Sequence, residues 1–124
     1  MVKKSELLED AKAFALRIVR LSAFLTEKKK DFVLSRQILR AGTSIGANIA
    51  EAAFAQTKPD FVTMMTTALK EASETVYWLD LLHRGGFIDA RQFKSMNEAA
   101  SSLLARLCAS VQTAKRNMRK EREG

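Results

Sequence analysis

Apolar residues return every three or four positions along almost the whole chain, the spacing that lines one side of an α-helix. From about Ser5, a candidate N-cap, Leu8, Ala11, Ala15, Ile18, Ser22 and Leu25 share a face. That run ends in "EKKK", cations of the kind a helix C-terminus favours. A second run starts near Asp31 and carries Leu34, Ile38, Ala41, Ile45, Ile49 and Ala52 until "QTKPDF" interrupts it. There Thr57, with Asp60 three residues on and Pro59 between them, has the chemistry of a helix start. The third run places Phe61, Met65, Ala68, Ala72, Val76 and Leu79 inward and stops at "HRGG", where Gly85 or Gly86 can take the left-handed position that ends a helix. The fourth opens on Asp89 with Gln92 as its capping-box partner and runs through Phe93, Met96, Ala100, Leu103, Leu107, Val111 and Ala114. All three connections are short, which forces successive helices to be antiparallel neighbours. The pattern therefore predicts an all-α chain, an up-down-up-down antiparallel four-helix bundle.

Composition narrows this further. At 124 residues and 47% hydrophobic the chain is one domain over 1–124, large enough for a core and too small for two. Pro59 is the single proline, and strand-like alternation of β-branched and aromatic residues is absent. Cys108 is the single cysteine and cannot close an internal disulfide. No stretch has the apolar length needed to span a bilayer, and "MVKKSELLED" turns acidic where a signal peptide would be apolar, so a cytoplasmic location is expected.

Helix two contains the unusual segment "RAGTSIGANIAEA". A phosphate loop needs a preceding strand and a Lys-Ser/Thr pair after its last glycine, and neither is present. The helical period instead runs unbroken through Gly42 and Gly46. Each costs about 1 kcal/mol relative to alanine inside a helix, so close approach by another backbone is expected to offset them. At roughly 100° per residue, Gly42, Gly46 and Ala53 form a shallow groove on one flank of the apolar stripe. On the other flank lie Gln37, Arg40, Ser44 and Glu51, with Asn48 between that line and the core.

Helix three offers a matching flank in Glu71, Glu74, Trp78 and Leu82. Counted outward from the connection, Arg40 comes level with Glu74 and Ser44 with Glu71, so a buried, register-fixing ion pair is expected. A carboxylate active site fits less well. Glu51, Glu71 and Glu74 lack the paired Glu-x-x-His motifs by which such bundles hold two irons, and His83 is the only histidine. His83 lacks the upstream arginine of a small helical ribonuclease and fits a last-turn cation or neutral surface residue. Cys108 and the methionines Met64, Met65, Met96 and Met118 fit gaps at core spacing. No enzyme, cofactor or metal site is expected.

"SRQILRAGTSIGANIAEA" followed by "KPDFVTMMTTALKEASETVYWLDLL" resembles the paired signature of the bacterial four-helix-bundle proteins named after the intervening sequences of large-subunit ribosomal RNA genes. The resemblance covers roughly residues 8 to 112. It is carried by Gln37, Arg40, Ser44, Asn48 and Glu51, then Glu71 and Glu74, with Trp78 beyond. The family usually has glycine after the helix-two glutamate, where this chain has Ala52. Members are similar to accessory proteins of diversity-generating retroelements, five-membered rings of bundles that bind nucleic acid. The resemblance thus implies a homopentameric ring and RNA or DNA as partner.

Residues outside the core stripe bear on both implications. Apolar groups surround helix three in "TVYWLDLL", which makes Trp78 and Leu81 candidates for a subunit interface. Lys+Arg 21 against Asp+Glu 14 gives a formal charge of +7, suited to a polyanion. The cations gather at the ends: Lys28, Lys29, Lys30 and Arg84 at one, Lys3, Lys4, Lys115, Arg116, Arg119, Lys120 and Arg122 at the other. Matching of helix dipoles accounts for part of this. The excess in "KRNMRKER" goes beyond it, because a long helix four would project a basic extension at about 115–124. No RNA-recognition motif, stacking aromatic platform or zinc module is legible, so binding through backbone phosphates is expected. The alternative is a protein-interaction scaffold whose basic ends serve solubility.

Overall fold

The structure is a computed structural model that describes the backbone of residues 2–123 and the side chains of residues 6–123. It contains four helices, α1 (Val2–Glu27), α2 (Leu34–Ala52), α3 (Lys58–Arg84) and α4 (Ala90–Glu123). Each packs on its neighbours in sequence, α1 closes the square against α4, and α1 and α3 are diagonal. This is the antiparallel four-helix bundle that the periodicity predicts.

The helix ends follow from local chemistry. Thr57 caps α3, its hydroxyl accepting the Asp60 amide at 3.2 Å, with proline just inside the helix. Asp89 and Gln92 form a reciprocal capping box at the start of α4, at 2.7 and 2.9 Å. Gly86 takes the left-handed conformation after α3, φ +82°, while Gly85 stays right-handed at φ −79°. Two boundaries differ from expectation. Helix α1 begins at Val2, which puts Ser5 inside it rather than at its cap. Helix α2 begins at Leu34 rather than near Asp31, because the carboxylate of Asp31 reaches forward to the Ser35 amide at 3.1 Å and keeps its own residue in the turn. That turn needs a left-handed residue, and Lys30 supplies it at φ 55°.

The core is aliphatic, with Ile18, Leu25, Ile38, Ile45, Leu79, Leu82 and Leu107 fully buried. Fully burying such a side chain contributes about 1.5–3 kcal/mol. The stripe on α1 is rotated from the expected one: Leu7, Phe14 and Leu21 are buried, while Leu8 and Ala15 are only half-buried. On α3, Val62 and Thr75 take the inner positions expected of Phe61 and Val76, and Leu82, expected on the polar flank, is in the core. Thr75 is tolerated there because its hydroxyl donates to the Glu71 carbonyl at 2.7 Å.

Both helix-two glycines face α1. A Cβ at Gly42 would lie 2.7 Å from Ile18 Cγ1, and one at Gly46 would lie 3.5 Å from Ala11 Cβ. The approach is thus limited at Gly42 by a side chain and is closer to backbone only at Gly46. Ala53, the expected third member of the groove, is exposed. Ser22 adds a buried polar tie, its hydroxyl donating to the Ser35 carbonyl at 3.2 Å. Contact between α1 and α4 is the slightest of the four, and a cleft of about 850 Å³ opens beside it, floored by Leu7, Ile49 and Met65. Ion pairing of Arg106 with Asp10 at 2.8 Å and a hydrogen bond from Arg17 to Ser95 at 2.6 Å span the two helices.

Candidate nucleic-acid interface

The polar seam between α2 and α3 forms, but at the surface. Arg40 Nη1 lies 3.1 Å from Glu71 Oε1, and Nη2 meets Glu74 Oε2. Trp78 Nε1 donates to that same Glu74 oxygen at 2.9 Å, so one carboxylate joins the guanidinium to the indole. The Arg40 side chain is 46% exposed, against 19% for Glu71 and 36% for Glu74. The expected buried pair is therefore a half-exposed bridge, because Arg40 lies on the outer side of the α2–α3 contact and reaches in from solvent. Ser44 does not meet Glu71. Its hydroxyl donates to the Arg40 carbonyl at 2.6 Å, and the Asn48 amide donates to the Ser44 carbonyl at 2.8 Å. Gln37 is half-buried and Glu51 exposed; neither joins the bridge.

The bundle topology puts the ends of α1 and α3 together with the start of α4. Lys28, Lys29 and Lys30 are all exposed there, with Lys29 Nζ 5.8 Å from the centre of the Phe24 ring. Arg84 at this end is already paired with Asp80, 3.0 Å away within α3. The opposite end holds the long tail of α4. Lys115, Arg116, Arg119, Lys120 and Arg122 are exposed, and none makes an ion pair among the described residues. Glu121 alone on this tail is engaged, by Lys58 at the start of α3. The tail is therefore tethered along one edge, and its cations stay free. Lys3 and Lys4, expected at the same end, have side chains outside the described residues.

Two features of these ends carry no periodic signal. Phe32, beside the three lysines, is 59% exposed, and Phe54, in the α2–α3 connection, is 86% exposed. Next to Phe54 a smaller cleft of about 410 Å³ is shared by Ala53, Ala55, Lys58, Ala114 and Asn117. Among the described residues no group of histidine, cysteine and carboxylate side chains could hold a metal ion, and no helix is long and apolar enough to cross a membrane.

The family of 23S rRNA-intervening sequence proteins matches residues 3–109 of the sequence. The chain belongs to this family. A similar solved structure comes from Bacteroides thetaiotaomicron VPI-5482, a protein described as having unknown function and belonging to the S23 ribosomal protein family. It is 44% identical, covers 89% of this chain and 98% of its own, and superposes with a TM-score of 0.87. No curated protein matches the chain.

In this 23S rRNA-intervening sequence protein the signature residues and the basic ends are thus two separate features. The signature assembles along the α2–α3 seam as Arg40, Glu71, Glu74 and Trp78, within the helices rather than at their ends. The interface candidates split as well: Trp78 and Leu81 are half-buried, while Tyr77, edge-on to Trp78 at 5.1 Å, is 56% exposed. Periodicity does not single out Tyr77, because only the orientation of the helix shows which aromatic faces out. His83 is likewise no free surface residue, since its ring stacks on Phe93 of α4 at 4.4 Å.

Proposed function

We propose that this 23S rRNA-intervening sequence protein is a non-enzymatic, homo-oligomeric bundle, a five-membered ring, that binds RNA or DNA through backbone phosphates at its basic ends. The observation that carries the reading is the α4 tail, where five exposed cations have no acidic partner among the described residues. Cations already paired within a protein contribute little to a polyanion, whereas free ones displace condensed counterions. Lys28, Lys29 and Lys30 add a second free cluster at the other end. The family's own description, tied to 23S rRNA, supports a nucleic-acid setting. No side chain is set to read base edges in a groove, so the expected binding is indifferent to sequence.

The test is a titration of mixed-sequence RNA and DNA at several salt concentrations with the intact protein and with one ending at Ala114. The shorter protein lacks five cations and two acids, a net loss of three charges per subunit. Each lost phosphate contact lowers the slope of log affinity against log salt by about 0.9 for duplex and about 0.7 for single strands. Removing Glu121 also frees Lys58, so a variant with the five cations changed to glutamine and Glu121 kept is the cleaner comparison. No binding by the intact protein at low salt would overturn the reading.

One set of observations favours a second reading, a protein-interaction scaffold. Leu16 at 58% and Val19 at 48% exposure on α1, with Tyr77 on α3, give two diagonal helices outward apolar side chains. A partner protein could dock there while the basic ends serve solubility.

A further inference from the structure

We propose that Phe54 is a base-stacking platform, so that the ligand of the α4 end is single-stranded nucleic acid rather than duplex. The inference rests on the phosphate-binding reading and adds to it the state of the ligand.

The ring is held out, not merely left out. Phe54 N–H donates to the Glu51 carbonyl at 2.9 Å and Ala55 N–H to the Ala52 carbonyl at 3.1 Å, which fixes the backbone on both sides of the side chain. Its neighbours Ala53 and Ala55 are too small to cover the ring, and it is 86% exposed, the most open of the large apolar side chains among the described residues. The connection also lies against the basic tail. Ala52, Ala53 and Ala55, on either side of Phe54, share the walls of one cleft with Ala114 and Asn117, and Lys58 is ion-paired with Glu121. Phe54 therefore projects from the connection that packs beside the base of the tail carrying Lys115, Arg116 and Arg119.

A phenyl ring carries no charge and no hydrogen-bonding group. Beside a row of phosphate-binding cations it can contribute only through its faces, and the group of a nucleic acid that matches a ring face is an unpaired base. In a duplex the bases are stacked on one another and the ring would meet backbone. A groove of cations tracking phosphates, with an aromatic side chain beneath the bases, is the arrangement that holds single strands without reading sequence. The net positive charge of this end, Lys58 and the five tail cations against Glu51, Asp60, Glu121 and Glu123, favours this over an apolar protein partner, which would meet five cations without an ion pair among the described residues.

The experiment measures binding of a labelled mixed-sequence single strand and of the matching duplex, across a salt series, to the intact protein and to Phe54→Ala, Phe54→Leu and Phe54→Tyr. Phe54→Ala is expected to weaken single-strand binding by about 5- to 150-fold, the range for loss of one stacked base. The salt slope should stay unchanged because no cation is removed. Phe54→Tyr should keep the affinity, Phe54→Leu should not, and duplex binding should be unaffected by all three. Unchanged single-strand affinity in Phe54→Ala, equal weakening for single strand and duplex, or full recovery with leucine would each overturn the stacking role while leaving phosphate binding in place. A change in particle mass by light scattering in Phe54→Ala would instead assign the ring to subunit packing and also overturn it. Failure of the intact protein to bind either ligand at low salt would remove both readings together.

Discussion

Gly42 of α2 and Ile18 of α1 pack so closely that a methyl group on the glycine would come within 2.7 Å of one Ile18 carbon and 2.8 Å of another. Ile18 is fully buried. Four residues on, Gly46 meets Ala11 at an ordinary 3.5 Å. The two glycines should therefore respond oppositely to alanine. Gly42→Ala sets an overpacking cost of about 1–3 kcal/mol against a helix-propensity gain of about 1, a net loss on the order of 1 kcal/mol. Gly46→Ala should gain up to about 1 kcal/mol. Denaturant midpoints at constant slope would check both, and Ile18→Ala should shrink the penalty at Gly42 because it removes the clashing atoms. A stabilised Gly42→Ala would show that the helices are free to move apart.

Exposure sets the expected strength of the Arg40 bridge. Breaking a buried pair costs about 3–5 kcal/mol, whereas exposed pairs contribute about 0.2–1 kcal/mol. With Arg40 half open to solvent, Arg40→Ala should cost on the order of 1 kcal/mol, somewhat raised because Glu71 and Glu74 are left facing each other. A double-mutant cycle with Glu74→Ala should show coupling, since each single change breaks the same contact. Strict additivity would mean that the two side chains do not meet in solution.

Lys30 separates stability from charge. Its left-handed backbone suits glycine, so Lys30→Gly should stabilise the fold by about 1 kcal/mol while removing a free cation from the α1–α2 turn. Thermal unfolding and a salt-dependent RNA titration on the same variant should move in opposite directions, with higher Tm and weaker binding. Lower stability would place the strain elsewhere in the turn.

Assembly is best probed at Tyr77. Trp78 is tied to Glu74, so Trp78→Glu disturbs the seam as well as any interface, but Tyr77 faces solvent. If copies of the chain meet through this face of α3, Tyr77→Glu should reduce the particle mass seen by light scattering and leave helical circular dichroism unchanged. A monomer at micromolar concentration in the unmutated protein would rule out the ring.

What the sequence determines by itself here is whatever repeats or punctuates. The period of apolar residues names four helices, Thr57 and the Asp89–Gln92 pair mark two starts, and short connections dictate antiparallel order. Counting from the α2–α3 connection also brings Arg40 level with Glu74, because two straight helices leaving one turn advance at the same rate. Tertiary structure decided what depends on rotation about each helix axis. A small rotation of α1 exchanges Leu8 and Ala15 for Leu7 and Phe14, since a helical face is only a few side chains wide. The same freedom leaves Arg40 at the surface and turns both glycines toward α1. Exposure of Phe54 was invisible for a further reason. An aromatic residue in a connection has no period to betray it, and only the packing of the chain around it shows that nothing covers the ring.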